Sequence, residues 1–492
     1  MADAEPAAKP PVSGRGRRDL TTGPITRTLL AFALPTLFSN MLQSLNGSIN
    51  AIWVGRFLGE DALAATSNAN LIMFLMFAGV FGFGMAATIL VGQNVGRRDI
   101  QEARRALGTA IGAFVGVAAL IAVFGWIYAP ALLRLLATPG EAMTMALAYL
   151  RVIFLSMPSA FLMVLLMMGL RGVGDSLTPL WFMLLNVFLD STLNPVFILG
   201  LGPAPQMGIA GSAMATLVAG YGSLTAMIVY IYARDLPIRL RGPEWRFLVP
   251  DPALLRVIVA KGFPMGLQML VVSSAALAMI GLVNREGVVV TAAYGVTQQL
   301  WTYIQMPAMA VGAAVSAMAA QNIGAGRWDR IAQITRSAVI MNLILTGGLV
   351  LLLTAVDRVA LGLFLHQGSP AMPIARHIQL VGSWGFVLFG MTLVLFGVVR
   401  ANGAVIGPLV ILFASMFPVR LGLAYALHPT FGIEALWWSF PVGSIASAAM
   451  AIWYYKYGRW RETKLVEEIN REEAEERCFA DGEPGGSLQP SG

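Results

Sequence analysis

Thr178–Gly200 reads TPLWFMLLNVFLDSTLNPVFILG, an apolar stretch long enough to cross a bilayer, with one carboxylate, Asp190, near its centre. Asn186 lies four residues before it and Asn194 four residues after, so in a helix the three side chains share one face. An ionised Asp at the middle of a spanning helix costs about 3 kcal/mol, and such an acid faces a bundle interior or a water-filled cavity. No other carboxylate lies as deep inside an apolar run of this chain. The chemistry open to Asp190 is exchange of a proton or capture of a cation. Burial favours a neutral acid and amide donors favour a carboxylate, so an acid held between them can load and unload as access changes. The competing reading is a permanently hydrogen-bonded acid that fixes helix packing.

Such an acid needs a membrane protein around it, and composition supplies one. Of the 492 residues 57% are hydrophobic and 12% charged, where a soluble protein carries about 25% charged residues. Twelve apolar runs of spanning length begin near residues 26, 61, 104, 143, 178, 208, 254, 289, 330, 372, 406 and 431 and are numbered spans 1–12 in that order. The short alternating segments of a transmembrane barrel are missing. The expected fold is therefore an all-α integral membrane protein. The net charge of +7 comes largely from Arg in short loops, which points to topology and not to nucleic acid.

The loops after spans 2, 6 and 8 carry Arg97, Arg98, Arg104 and Arg105, then Arg234 to Lys261, then Arg327, Arg330 and Arg336. The opposite loops hold only Arg56, Arg134, Arg285 and Arg358. Both termini are thus expected in the cytoplasm, with the chain in the inner membrane as a multi-pass protein. Arg15, Arg17 and Arg18 form a basic flank without an apolar h-region, so no cleaved signal is expected. The lone cysteine, Cys478, rules out a disulfide framework.

The chain also repeats itself. Gln93-Asn94-Val95-Gly96 returns as Gln321-Asn322-Ile323-Gly324, Arg171-Gly172-Val173-Gly174 as Arg400-Ala401-Asn402-Gly403, and Pro35 as Pro264, at offsets of 228 or 229 residues. Three coincidences at one offset indicate duplication. With six spans each, the halves keep the same orientation and are related by an axis along the membrane normal, with a cavity between them. The expected division is a tail over 1–24, an N-lobe over 25–234, a linker over 235–252, a C-lobe over 253–456 and an acidic tail over 457–492.

Other polar residues in the spans form stripes. Gln43, Asn46 and Asn50 recur at i, i+3, i+7 on span 1 and either line an N-lobe cavity or join helices by hydrogen bonds. Tyr294, Gln298, Trp301 and Gln305 share a face of span 8 and are read as a cavity wall. Met73, Met76, Met163 and Met167 suit an adaptable wall, though ordinary packing is the better reading. Arg420 sits in span 11 near the repeat counterpart of Asp190, and is read as a structural or cavity charge. Gly108, Gly112 and Gly116 form a small-residue ridge for close helix contact. His366, His377 and His428 are scattered, there is no Walker A sequence or nucleophile elbow, and no metal, cofactor or enzymatic chemistry is expected.

Ala33-Leu34-Pro35, Val54-Gly55-Arg56, the two Gln-Asn-x-Gly loops, Arg171-Gly-x-Gly-Asp175 with Thr178-Pro179, and Gly208-Ile209-Ala210-Gly211 together resemble the multidrug and toxic compound extrusion (MATE) family. The resemblance runs from about residue 25 to 456 and is closest to the branch of DNA-damage-inducible protein F. It implies two pseudo-symmetric six-helix lobes and a secondary antiporter, acting as a monomer, that exports amphipathic, often cationic compounds against protons or sodium. It places ion coupling at Asp190 and Asn186 of span 5 and at Asn50, where the family carries an Asp, and a bend at Pro35. Gln43, Asn46, Asn194, Tyr294, Gln298, Trp301 and Gln305 would then line the substrate cavity. Asn50 cannot titrate, so Asp190 would carry the coupling alone. The alternatives are a lipid-linked precursor flippase of the same superfamily, which favours fourteen spans, and a polytopic membrane enzyme.

Overall fold

The computed structural model describes residues 19–135, 140–202, 205–366, 368–463 and 465. It is all-helical, without a strand among the described residues, and holds twelve helices long and apolar enough to span a membrane. Spans 1–6 are Ile25–Leu58, Glu60–Gly96, Ile100–Leu135, Gly140–Gly172, Leu177–Leu199 and Ile209–Ala233. Spans 7–12 are Pro252–Val283, Val288–Gly324, Trp328–Ala355, Ala371–Ala401, Ile406–Phe431 and Glu434–Tyr457. Span 11 contains a π-helical segment, Ser415–Leu421, between two α-helical pieces.

Turn chemistry repeats with the sequence. Gly59 and Gly287 open spans 2 and 8 at φ 83° and 101°, and Gly174 and Gly403 turn the chain before spans 5 and 11 at φ 92° and 87°. Only glycine takes these angles without strain, which is why the reversals return at the repeat offset. Before span 5, Asp175 accepts hydrogen bonds from the backbone N–H of Leu177 and Thr178 at 3.0 and 2.9 Å and from the Thr178 hydroxyl at 2.5 Å, anchoring the helix that carries Asp190.

Burial separates inner from outer helices. In spans 2, 4, 8 and 10, the buried share of the apolar window is 61, 61, 78 and 61%, against 28% in spans 3, 5, 7, 9 and 11. Spans 2 and 8, and 4 and 10, are repeat partners, so both six-helix lobes place the same helices inside. Span 2 packs on span 7, span 8 on span 1, and spans 2 and 8 on each other, which joins the lobes. Gly82 permits this contact: a Cβ there would overlap the Gly262 carbonyl and Gly266 backbone of span 7.

The small-residue ridge of span 3 has a different partner from the helix its spacing suggests. A Cβ on Gly108 would meet Phe247 at 2.8 Å, one on Gly112 would overlap the Leu248 carbonyl, and one on Gly116 would meet nothing within 4 Å. The ridge seats the 3-10 turn Gly242–Leu248 of the linker, because a backbone turn needs the same clearance as a helix. The linker is pinned there: Arg104 donates to Glu244 at 2.9 and 3.1 Å and to the Pro237 carbonyl at 2.7 Å, and Arg105 pairs with Asp251. Hydrogen bonds from Arg241 hold the exposed Asp235 carboxyl below the usual carboxylate range, with Arg239 adding to the effect. Glu244→Ala removes the acceptor of a mostly buried guanidinium and is expected to cost about 2 kcal/mol, read as a lower melting temperature by tryptophan fluorescence in detergent; unchanged melting would mean that the linker does not hold span 3.

The described segments just before span 1 and just after span 12 are held by the bundle. Leu20 is fully buried, and the carbonyls of Leu20, Thr21 and Gly23 accept from Asn322, Arg327 and Arg330. After span 12, Trp460 is buried and its carbonyl accepts from Asn402 at 2.7 Å. The basic flank at Arg15, Arg17 and Arg18, the acidic run from Glu467 and Cys478 lie outside the described residues.

Candidate functional site

Asp190 is 1% exposed, halfway along span 5, in the cleft where span 5 meets spans 1 and 6. Asn50 Nδ2 of span 1 donates to its Oδ2 at 3.0 Å. Thr216 Oγ1 of span 6 donates to Oδ1 at 3.1 Å, and Asn194 Nδ2 reaches Oδ1 at 3.4 Å and the Asp190 carbonyl at 3.1 Å. Asn194 Nδ2 also donates to Asn50 Oδ1, tying the two amides into one network. Asn46, one turn before Asn50, bears on the same carboxyl, and Tyr149 of span 4 is buried within reach of its charge. The Oδ1 atoms of Asn46 and Asn194 are buried without a hydrogen-bond partner.

This arrangement can serve both forms of the acid. Three donors face the carboxylate, while two unspent amide oxygens lie on side chains of the same network and can accept from a protonated acid or bind a small cation. Among the described residues no group of three or more His, Cys, Asp or Glu could hold a metal ion.

The structure brings together Asp190, Asn50, Asn46 and Asn194. It does not bring in Asn186, which is half-buried and makes no side-chain hydrogen bond; a side chain four residues earlier on a helix rises toward the N-terminal turn, and the partners come from spans 1 and 6 instead. Gln43 is exposed on span 1. Thr216 and Tyr149 carry no sequence signal, since one Thr or Tyr in an apolar helix is ordinary. Span 1 runs unbroken through the buried Pro35, and the Ser39 hydroxyl donates to the Pro35 carbonyl at 2.9 Å.

The span-8 stripe divides. Gln298 and Gln305 are half-buried, but Tyr294 and Trp301 are 3% and 2% exposed and pack with Trp437, Phe440 and Phe386. They form core of the second half and not an open wall, because rings of this size gain most by complete burial. Met163 and Met167 are also buried in packing.

Where the inner helices end, the halves grip each other by symmetry. Gln93 Nε2 of span 2 donates to the carbonyl of Ala401 at the end of span 10, at 2.7 Å. Gln321 Nε2 of span 8 donates to the carbonyl of Gly172 at the end of span 4, at 2.8 Å. A Cβ on Gly96 would overlap the Gln321 carbonyl oxygen, and one on Gly324 the Gln93 carbonyl oxygen. The repeated Gln-Asn-x-Gly sequence is thus a reciprocal clasp at the end of the bundle where Leu20 enters and Trp460 leaves the described helices.

The MatE family model matches this chain twice, over residues 35–196 and 264–426. The chain belongs to the MatE (MATE) family. The two matches begin at Pro35 and Pro264, the prolines that mark the repeat. The probable multidrug resistance protein YoeA of Bacillus subtilis is 33% identical over 444 residues, covering 90% of this chain and 96% of the relative. The probable multidrug resistance protein YpnP of the same organism is 29% identical, covering 92% and 99%. A crystal structure of MATE in complex with MaL6 superposes with a TM-score of 0.83 at 18% identity, covering 94% of this chain and all of the other. This MATE protein is a multi-pass membrane transporter and not an enzyme.

Proposed function

We propose that this MATE transporter is a secondary antiporter that exports amphipathic, often cationic organic compounds in exchange for protons or sodium. The observation that carries the reading is the buried Asp190 with donors from three helices and two unspent amide oxygens on the same network. As a carboxylate it accepts from Asn50, Thr216 and Asn194. On protonation it becomes a donor, and a half-turn of either amide offers an oxygen to accept it. Sodium would take the same oxygens as ligands. Because these polar contacts join spans 1, 5 and 6 inside the N-lobe, loading the site changes how the three helices pack, and that change is passed to the lobe interface.

The arginine distribution supports cytoplasmic termini in an inner membrane, with the N-lobe over 25–234 and the C-lobe over 253–456 working as a monomer. The clasp between Gln93 and Gln321 then shuts the cytoplasmic side, so the state described is the one that takes an ion from outside and releases cargo there. Breaking the clasp opens the opposite path. Each proton entering down a membrane potential supplies about 2.3 kcal/mol per 100 mV.

Reconstituted into liposomes with an internal pH dye, the protein is expected to move protons when an amphipathic cation such as ethidium is added on the cytoplasmic side, or to depend on sodium if choline replacement stops export. Ethidium export that persists after both gradients are collapsed would sink the antiport reading.

A further inference from the structure

Asp190 has an opposite at its repeat position. The repeat offset of 229 residues between Pro35 and Pro264, where the two family matches begin, brings Asp190 within one residue of Arg420. Arg420 lies in the π-helical segment in the middle of span 11. Its stem runs across span 12 at Gly443, where a Cβ would meet Arg420 Cβ at 3.0 Å, so the missing side chain leaves it room. The guanidinium stacks on Phe440 at 3.7 Å from the ring centre and feels the charge environment of Tyr294 on span 8. It therefore reaches into the interior between spans 8, 11 and 12.

Its hydrogen bonding is almost empty. Nη1 donates to the Met416 thioether at 3.6 Å, Nε is buried without a partner, and among the described residues no carboxylate pairs with it. A guanidinium has five N–H donors, and a buried cation without acceptors is costly, so natural structures supply a partner. The residue is half-buried, its face is held by the aromatic ring, and Nε carries no partner, which leaves N–H donors on its edge unspent. That is the geometry in which arginine takes a carboxylate, sulfonate or phosphate edge-on while stacked.

We propose that Arg420 is a substrate-binding residue of the C-lobe that takes the anionic group of the cargo, so the preferred substrates are amphipathic aromatics carrying an acidic group, zwitterions among them. This rests on the transport reading above and narrows its substrate class.

The test compares rhodamine B, which bears a free carboxylate, with its ethyl ester, which keeps the same cationic ring system. Binding is measured by fluorescence polarisation with the purified full-length protein in nanodiscs. Wild-type protein is expected to bind rhodamine B at least tenfold more tightly than the ester. Arg420→Met should abolish this preference by weakening rhodamine B alone, and Arg420→Lys should retain part of it. Equal binding of the two dyes by the wild type overturns the proposal whether or not the variants fold, as does an Arg420→Met protein that keeps the full preference. Ion-driven export of both dyes without a carboxylate preference removes this proposal and leaves antiport standing. A carboxylate preference in binding without ion-driven export of either dye supports the Arg420 site and removes the antiport reading.

Discussion

Asp190→Asn protein is expected to fold, insert and bind an amphipathic dye as the wild type does, yet to export it no faster than protein-free liposomes under an imposed proton or sodium gradient. The substitution is nearly isosteric. Its amide oxygen still accepts from Thr216, and the link to Asn50 is kept once the Asn50 amide turns its oxygen toward the new N–H, so the contacts that join spans 1 and 6 to span 5 can both be made. What is lost is titration and negative charge. An Asp buried at mid-membrane costs about 3 kcal/mol relative to an apolar residue, so a merely structural acid would be improved or unchanged by neutralisation. Coupling, in contrast, requires a group whose ion occupancy differs between the two states, because a ligand shifts an equilibrium only by its differential affinity. Asn50 cannot replace it, since an amide does not titrate. Equal gradient-driven export by the wild type and Asp190→Asn would therefore remove Asp190 from the coupling mechanism.

Gly324→Val is expected to abolish export by a different route, holding the lobes apart at the end where Gln93 and Gln321 cross. A single Cβ already overlaps the Gln93 carbonyl oxygen, and Gly96→Val meets the Gln321 carbonyl in the same way. Overpacking of this kind costs about 1–3 kcal/mol, enough to shift a two-state equilibrium roughly 5- to 150-fold away from the clasped state. Each displacement also takes a buried amide donor, Gln93 or Gln321, away from its carbonyl. The readout is a spin-label distance between the ends of spans 2 and 8, measured on a background with Cys478 replaced. It should lengthen in both valine variants and stay constant in Gly116→Ala, where a Cβ meets nothing within 4 Å. Unchanged distances in both variants would show that the clasp does not govern closure.

The twelve spans and the duplication were legible because each rests on a local or additive signal. Apolar run length reports a bilayer crossing residue by residue, and Pro35 with Pro264, or Gly174 with Gly403, return at one offset because the same turns are built twice. Asp190 stood out for a similar reason, as a single costly side chain in its own helix. Its partners did not. Helical spacing nominated Asn186 and Asn194 equally, but only Asn194 bonds to the carboxyl, since the direction of the cleft is set by spans 1 and 6. Thr216 and Tyr149 gave no warning. Span 8 taught the reverse lesson: Tyr294, Gln298, Trp301 and Gln305 share a face, yet the two rings are buried in aromatic packing and the two amides are not.

Composition, periodicity and repetition thus determined by themselves that this chain is a duplicated twelve-span membrane protein with one intramembrane acid, because those properties are written along the chain. The tertiary structure alone decided which amides surround Asp190, that the glycine ridge of span 3 seats the linker, that Gln-Asn-x-Gly is a clasp, and that Arg420 has no carboxylate partner among the described residues. Each of these depends on a residue from a distant span arriving at hydrogen-bonding or van der Waals distance, and no spacing within one helix encodes which distant span that will be.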